Sequence, residues 1–422
     1  MRIAVIGAGM AGVAAAQALA ADGHEVTVFE RRASVAEESS FAPAGLAAAA
    51  LAAPWRPAPG RLHAGKADDA SRLHPTGGAF AVPGLLGKGD AAATAQRADR
   101  ALALYQLLAA GVARIDALTR ALGLDFERGD GLLLVQPDTA QAEQAIAWLQ
   151  ARGETAEWAD AARQRQLEPG RAIADDAPRA VWLPGARSGN TREWTQLLRA
   201  HAMHLGARFL FQHVVQSIAA GPQPALRFTT GDGQADEASF DAVVVCAALE
   251  TSRLLAPLGV ALPWKPVRGY SVTVAQHVRE SAPDSGPRGA LLDVRSGIST
   301  TRLGARIRVA GGHEAVAASA APAVPAAPPG KRQLQPLYDA VDGAFPGAAN
   351  WLQAQVWQAT RAALADSLPA VGATGVPGIW VNAGHAHHGW ALSQAGAGLL
   401  CTLIAGEPAP PEAAALAPQR LR

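Results

Sequence analysis

The first thirty residues constrain the fold most. Residues 2–30, RIAVIGAGMAGVAAAQALAADGHEVTVFE, run an apolar stretch into a glycine turn, an alanine-rich segment and a second apolar stretch. A continuous apolar run is what a parallel strand buried on both faces requires. The segment 10–22, closed by Asp22-Gly23, reads as a helix with its stop signal. Between strand and helix lies Gly7-Ala8-Gly9-Met10-Ala11-Gly12, a G-x-G-x-x-G. In this setting each position has a task. Gly7 permits the tight turn, Gly9 lets backbone approach a pyrophosphate, and Gly12 lets the helix pack closely on the sheet. Met10 and Ala11 open the helix, whose free N–H groups and partial positive charge face the phosphates. Glu30, ending the second strand, can accept ribose hydroxyls and would repel a 2′-phosphate. The fingerprint alone does not separate NAD from FAD. No second G-x-G-x-x-G occurs, and the other candidate residues spread along the whole chain, which favours FAD.

At 422 residues the chain has room for two domains, or for one large domain with an insertion. A net charge of +1 without a basic run argues against a nucleic-acid surface. Cys246 and Cys401 both sit in apolar runs, so buried thiols are expected rather than a disulfide framework. Arg2 leads straight into IAVIGAG, whose glycines interrupt any secretory core. The apolar stretch 42–54 is mostly alanine and too short to span a bilayer. The expectation is a cytoplasmic protein, with peripheral contact at the inner face of the membrane as the alternative.

Residues 31–90 and the Ala/Pro-rich 314–330 read as long loops. Helices are expected at 91–123, 138–152, 192–205 and 389–404. Strands are expected at 131–135, over ARFLFQHVVQSIAA, at 240–248, 265–275, 305–312 and 378–384. Gly231-Asp232-Gly233 marks a hairpin.

Four separated motifs then come into register with a known family. They are the fingerprint with Glu30-Arg31, EESSFAPAGLAAAALAAPW at 37–55, the KPVRGYSVTV strand, and the C-terminal pair TRAALADSLPAVGA and IWVNAGHAHHGW. Together they resemble the FAD-dependent D-amino acid oxidase superfamily, most similarly the bacterial D-amino acid dehydrogenases, over nearly the whole chain. The resemblance implies an α/β fold: a Rossmann-type FAD-binding domain (1–85, 155–255 and 355–422) interleaved with an antiparallel-sheet substrate domain (86–154 and 256–354). It implies oxidation of a D-amino acid to an imino acid, hydrolysed to a 2-oxo acid and ammonia, with electrons passed to a quinone or respiratory carrier. Another amine substrate, such as glycine, sarcosine or a cyclic imino acid, and a FAD-binding subunit with little activity of its own, are the alternatives.

By motif position Arg361 clamps the substrate carboxylate, since a planar guanidinium suits it better than lysine, and Tyr270 is a second donor. Without the motif, Arg361 reads as a surface or ion-paired arginine, and Tyr270 as a packed strand aromatic. Ser39 and Ser40 are expected at phosphate or ribitol oxygens, with the backbone of Ala44, Gly45 and Leu46 along the flavin. Arg31, Val215, Ala247 and Ala248 are expected around the adenosine half. The chain departs from the family pattern in places. Arg361-Ala362-Ala363-Leu364-Ala365-Asp366-Ser367 stands for Arg-Pro-Met-Thr-Pro-Asp-Gly, Ala248 for a glycine, and Ala386-His387-His388 for Gly-Thr-Leu.

Three histidines, His385, His387 and His388, fall within four residues. Adjacent histidines on an extended segment point apart, and no carboxylate or cysteine cluster follows to complete a metal set. The resemblance instead makes Gly384, His385, His387, His388, Gly389 and Trp390 the closing wall of the flavin pocket. His387 or His388 then faces flavin or substrate and tunes specificity.

Overall fold

The computed structural model describes residues 1–53, 55, 91–135, 138–277, 285–316, 327–364 and 366–421. The expected loops at 56–90 and 317–326, and Ala365, lie outside them. The chain opens with β1 (Arg2–Ile6), α1 (Met10–Ala21), β2 (Glu25–Glu30) and a short β3 (Leu46–Ala47). Next come α2 (Ala91–Leu122), β4 (Gly129–Val135), α3 (Thr139–Gln150), β5 (Glu157–Ala159), α4 (Ala161–Leu167) and β6 (Ala180–Ser188). The central third holds α5 (Thr191–His204), β7 (Arg208–Phe211), β8 (Val214–Ala219), β9 (Ala225–Thr229), β10 (Ala235–Ser239), β11 (Ala242–Val245) and α6 (Glu250–Leu255). The last stretch runs β12 (Lys265–Ala275), β13 (Ala290–Asp293), β14 (Ile298–Leu303), β15 (Arg306–Ala315), α7 (Lys331–Ala344), β16 (Gln355–Ala363), β17 (Ala370–Ala373), β18 (Ile379–Ala383) and α8 (Gly389–Ile404).

One six-stranded sheet has the order β17-β18-β11-β1-β2-β7. β1 pairs in parallel with both β2 and β11, so its side chains from Ile3 to Ile6 are buried on both faces, as the unbroken apolar run requires. On one face α1, α2, α5 and α8 share a core that includes Val13, Leu19, Leu104, Leu108, Trp194 and Leu400. On the other face Leu226 and Phe228 of the three-stranded sheet β10-β9-β8 pack against Ala4, Val243 and Val245. This is a Rossmann-type layering. Among the described residues only Ala98–Leu122 of α2 is long and apolar enough to cross a membrane. Its Leu104, Leu107, Leu108 and Ile115 are committed to this core.

The second sheet runs β16-β12-β15-β14-β13-β4-β6-β3, with β5 added on β6. It is antiparallel except where β13 lies parallel to β4. Helix α7 covers one end through Leu334, Leu337 and Val341.

Several expectations are corrected by pairing that local sequence does not encode. β5, β6 and β16, expected in the FAD-binding portion, hydrogen-bond into the second sheet. Helix α2, expected with the substrate portion, packs on α1 and α8. The segment read as one strand at 207–220 is two, β7 and β8, in different sheets. Gln212 between them turns the chain with a left-handed φ of 57°. Cys246 is buried, but Cys401 is only half-buried.

Candidate active site

The glycine turn places its residues against a trough. Gly7 has a φ of +100°, and a Cβ on Gly12 would lie 1.8 Å from the Gly7 carbonyl oxygen, so helix and turn touch through backbone. Gly12 therefore packs rather than lines the cavity. Glu30 is buried beside the turn. Its two oxygens accept the backbone N–H groups of Ala8, at 2.7 Å, and Arg32, at 2.8 Å. Burial raises its pKa, and the two backbone bonds only partly oppose that. Arg31 turns away from Glu30 to grip Glu38 with two bonds of 2.8 and 2.6 Å. Burial would raise Glu38, but the bonds and charges of Arg31 and Arg32 outweigh it and hold the carboxyl low. Ser40 Oγ accepts the N–H of Met10 at 3.1 Å, satisfying one free donor at the start of α1. Gly7, Glu30, Arg31, Val215 and Ala247 line a cavity open to solvent.

That cavity shares Gly9, Ser39, Ser40, Cys246 and Ala248 with a larger one of about 1290 Å³, so the two form one trough. Met10, Ala11, Ala44, Gly45 and Leu46 line the second part. Here the chain is held by its carbonyls. Ser271 Oγ donates to Ala42 O at 2.7 Å, Arg308 to Pro43 O at 3.3 Å, and Thr301 Oγ1 to Ala44 O at 2.9 Å. The Gly189 N–H completes the row on Gly45 O at 3.0 Å. Carbonyls fixed toward the second sheet leave this backbone presenting its opposite edge to the trough. At the edge of the trough the half-exposed rings of Phe41 and Trp357 stack 4.2 Å apart, and the Arg192 guanidinium lies 4.2 Å over Phe41.

The far end is cationic and rich in imidazole. Strand β16 alternates so that Trp357, Ala359 and Arg361 face the cavity. Arg361 makes no ion pair among the described residues, and burial lowers its pKa only to about 10, so it stays charged at neutral pH. Across from it, the β12–β15 register slips between Arg268 and Tyr270. Gly312 takes a φ of +64° in this bulge, and the extra residue brings His313 to the cavity side. Gly269 leaves the room: a Cβ there would lie 2.9 Å from His313 Cδ2 and 3.0 Å from Arg361 Nη2. His313 meets His387 edge-on, ring centroids 4.9 Å apart. Burial first, then the charge of Arg361, holds both imidazoles well below the usual histidine range. His385 Nε2 donates to Asn382 Oδ1 at 2.8 Å, and burial lowers its pKa to about 4.

The structure brings together Arg361, Tyr270, Gly384, His385, His387, Gly389 and Trp390 on one cavity. His388 is a correction. It is the N-cap of α8, buried, and does not line the cavity; burial and then Arg361 lower its pKa to about 4. Tyr270 lines the cavity, but its hydroxyl donates to Glu314, which limits it as a second clamp. His313, Thr301 and Arg308 lie in no quoted motif, and Ser271, inside KPVRGYSVTV, was not singled out there. The only sequence signal was the pair Gly311-Gly312 inside a strand, which marks a bulge. Among the described residues no three His, Cys, Asp or Glu side chains converge as a metal set.

Fold and trough together define a dinucleotide-dependent oxidoreductase. A glycine turn free of side chains, a helix N-terminus and a buried carboxylate fit the pyrophosphate and ribose of FAD. The model of the DAO family, FAD dependent oxidoreductase, matches residues 2–403, and the chain belongs to that family. Its cofactor is FAD. The chain is 35% identical, over 100% of its own length and 95% of the relative's, to D-amino acid dehydrogenase of Cereibacter sphaeroides. Among solved structures, glycine oxidase from Geobacillus kaustophilus superposes with a TM-score of 0.71 at 19% identity, covering 96% of this chain and 95% of that one. L-amino acid deaminase from Proteus vulgaris reaches 0.73 at 15% identity, covering 99% and 96%.

Proposed function

We propose that the protein oxidises a D-amino acid to a 2-oxo acid and ammonia. The observation that carries the reading is Arg361, a charged guanidinium on the cavity wall with no carboxylate partner among the described residues. Such a group is satisfied by a substrate carboxylate, held in the bidentate manner that fixes the α-carbon. The neutral imidazoles beside it add no competing charge and leave the substrate amine free to shed its proton. Bound FAD supplies the acceptor for the two electrons and the α-hydrogen. As these leave, the C–N bond becomes C=N and the amine loses a proton; water then adds at that carbon and ammonia departs. Resemblance to a D-amino acid dehydrogenase at 35% identity supports the D-configuration, and a quinone or respiratory carrier is the acceptor we propose. That acceptor in turn argues for work at the inner face of the cell membrane, which fractionation tests.

Anaerobic addition of D-amino acids should bleach the flavin absorbance, while their L-enantiomers leave it unchanged. Arg361→Ala should retain the flavin and lose at least roughly a hundredfold in kcat/KM, the scale of a charge-assisted bidentate contact. No bleaching by any D-amino acid overturns the reading. Oxygen outpacing a quinone analogue would make the protein an oxidase.

A further inference from the structure

Beyond Arg361 the cavity wall is made of imidazoles. His313 comes from β15 through the bulge at Gly312, and His387 from the loop before α8. Their rings are in edge contact, 4.9 Å between centroids. Nδ1 of His387 is buried and has no hydrogen-bond partner. No acidic side chain among the described residues pairs with Arg361, and the carboxylate of Glu314 is engaged by the Tyr270 hydroxyl. The α-carboxylate of a substrate supplies one anion. The orphaned Nδ1 of His387 offers a donor for another acceptor, and either imidazole can take a proton if that acceptor is charged.

We propose that His313 and His387 form a second anion subsite beside Arg361, so that the pocket selects substrates carrying a second carboxylate. This rests on the reading of Arg361 as the α-carboxylate clamp. An apolar side chain gains nothing from two buried imidazoles and would strip the water from them. A carboxylate gains the His387 donor, the polar edge of His313 and the field of Arg361. A side-chain amide uses the same donors without the charge, so paired acidic and amide ligands separate the two.

The pair also ties binding to protons. In the free protein both imidazoles are neutral, because burial and then Arg361 disfavour the cation. A second carboxylate acts in the opposite sense and favours imidazolium. Dicarboxylate binding therefore takes up a proton, and its affinity declines as pH rises above the range in which the bound complex holds that proton. The groups acting electrostatically on the pair are Arg361 from β16 and His388 from the loop. Tyr270, bonded to Glu314, lines the same cavity from β12.

The test uses the FAD-loaded protein and non-oxidisable ligands. Titration calorimetry with glutarate, glutaramate and butyrate, at pH 7 in two buffers of different ionisation enthalpy, reads affinity and proton uptake together. Glutarate should bind roughly tenfold or more tightly than butyrate, the scale of one charge-assisted bond, with glutaramate between them. Only glutarate should take up protons. In His313→Phe and His387→Phe, checked for flavin content, the glutarate-to-butyrate ratio should fall toward one, while His387→Gln keeps part of it. Equal affinities in the unaltered protein, or an unchanged ratio in both Phe variants, overturns the proposal. Flavin bleaching by D-alanine is measured alongside. Bleaching without a glutarate preference sinks the subsite alone. A glutarate preference without bleaching by any D-amino acid keeps the subsite and sinks the amino-acid reading.

Discussion

Ala248, Ser367 and Ala386 hold left-handed φ angles of 48°, 61° and 44°. They stand where the motifs quoted above for the resembled family carry glycine. The backbone here bears the cost of a Cβ in that region, roughly 1–2 kcal/mol each. Ala248→Gly should therefore raise unfolding stability by about 0.5–1 kcal/mol, since the glycine's looser unfolded chain takes back part of the gain. A denaturant midpoint that falls in this variant contradicts this. Glu30 makes a second prediction at the same scale. Both its oxygens hold backbone N–H groups of the nucleotide turn, and an amide can serve only one of them. Glu30→Gln should weaken FAD binding roughly tenfold or more, read by flavin fluorescence on titrating the apoprotein. Burial raises the Glu30 pKa, so protonation begins at a higher pH than for an ordinary glutamate. FAD affinity should fall as pH drops into that range, and the Gln variant should lose this dependence.

Among the elements, α2 and α8 approach so closely at Gly111 that a Cβ there would lie 2.0 Å from the Ala391 carbonyl oxygen. Gly111→Val should force the helices apart at a cost of about 1–3 kcal/mol or more. Because α8 starts at the loop bearing His387, flavin content should drop as well. A variant with normal melting and full flavin would show that the contact yields more easily than its geometry implies. These long helices were legible in sequence, as were β1, β2, β12, β18 and the β9–β10 hairpin, because apolar period and glycine punctuation are local. Strand β6 and the pair β13–β14 gave no comparable signal. Their order in the sheet depends on distant partners: Leu132 of β4 pairs with Leu183 of β6, and Leu133 of β4 with Leu291 of β13. The same limit applied in the site. Arg361 and the glycine turn sit in motifs, whereas His313 becomes a wall residue only because one extra residue changes the parity of β15.

For the molecule as a whole, the trough is lined from two sheets whose strands alternate along one chain, so loss of FAD should be felt by both. Removing FAD should lower the thermal midpoint of the entire protein in one transition. Ligand at a hundredfold excess over its Kd contributes about 2.7 kcal/mol. Two separate melting steps in the apoprotein would instead show sheets that stand alone. The row of carbonyls from Ala42 to Gly45 has a different bearing. This stretch of the trough's lining is riveted to the second sheet by Ser271, Arg308 and Thr301, and by Gly189 just after β6. Swinging one body away from the other would tear four bonds along the trough at once. A route for substrate and product that leaves those bonds intact would have to pass smaller parts at the edge of the trough, where Phe41 and Trp357 stack.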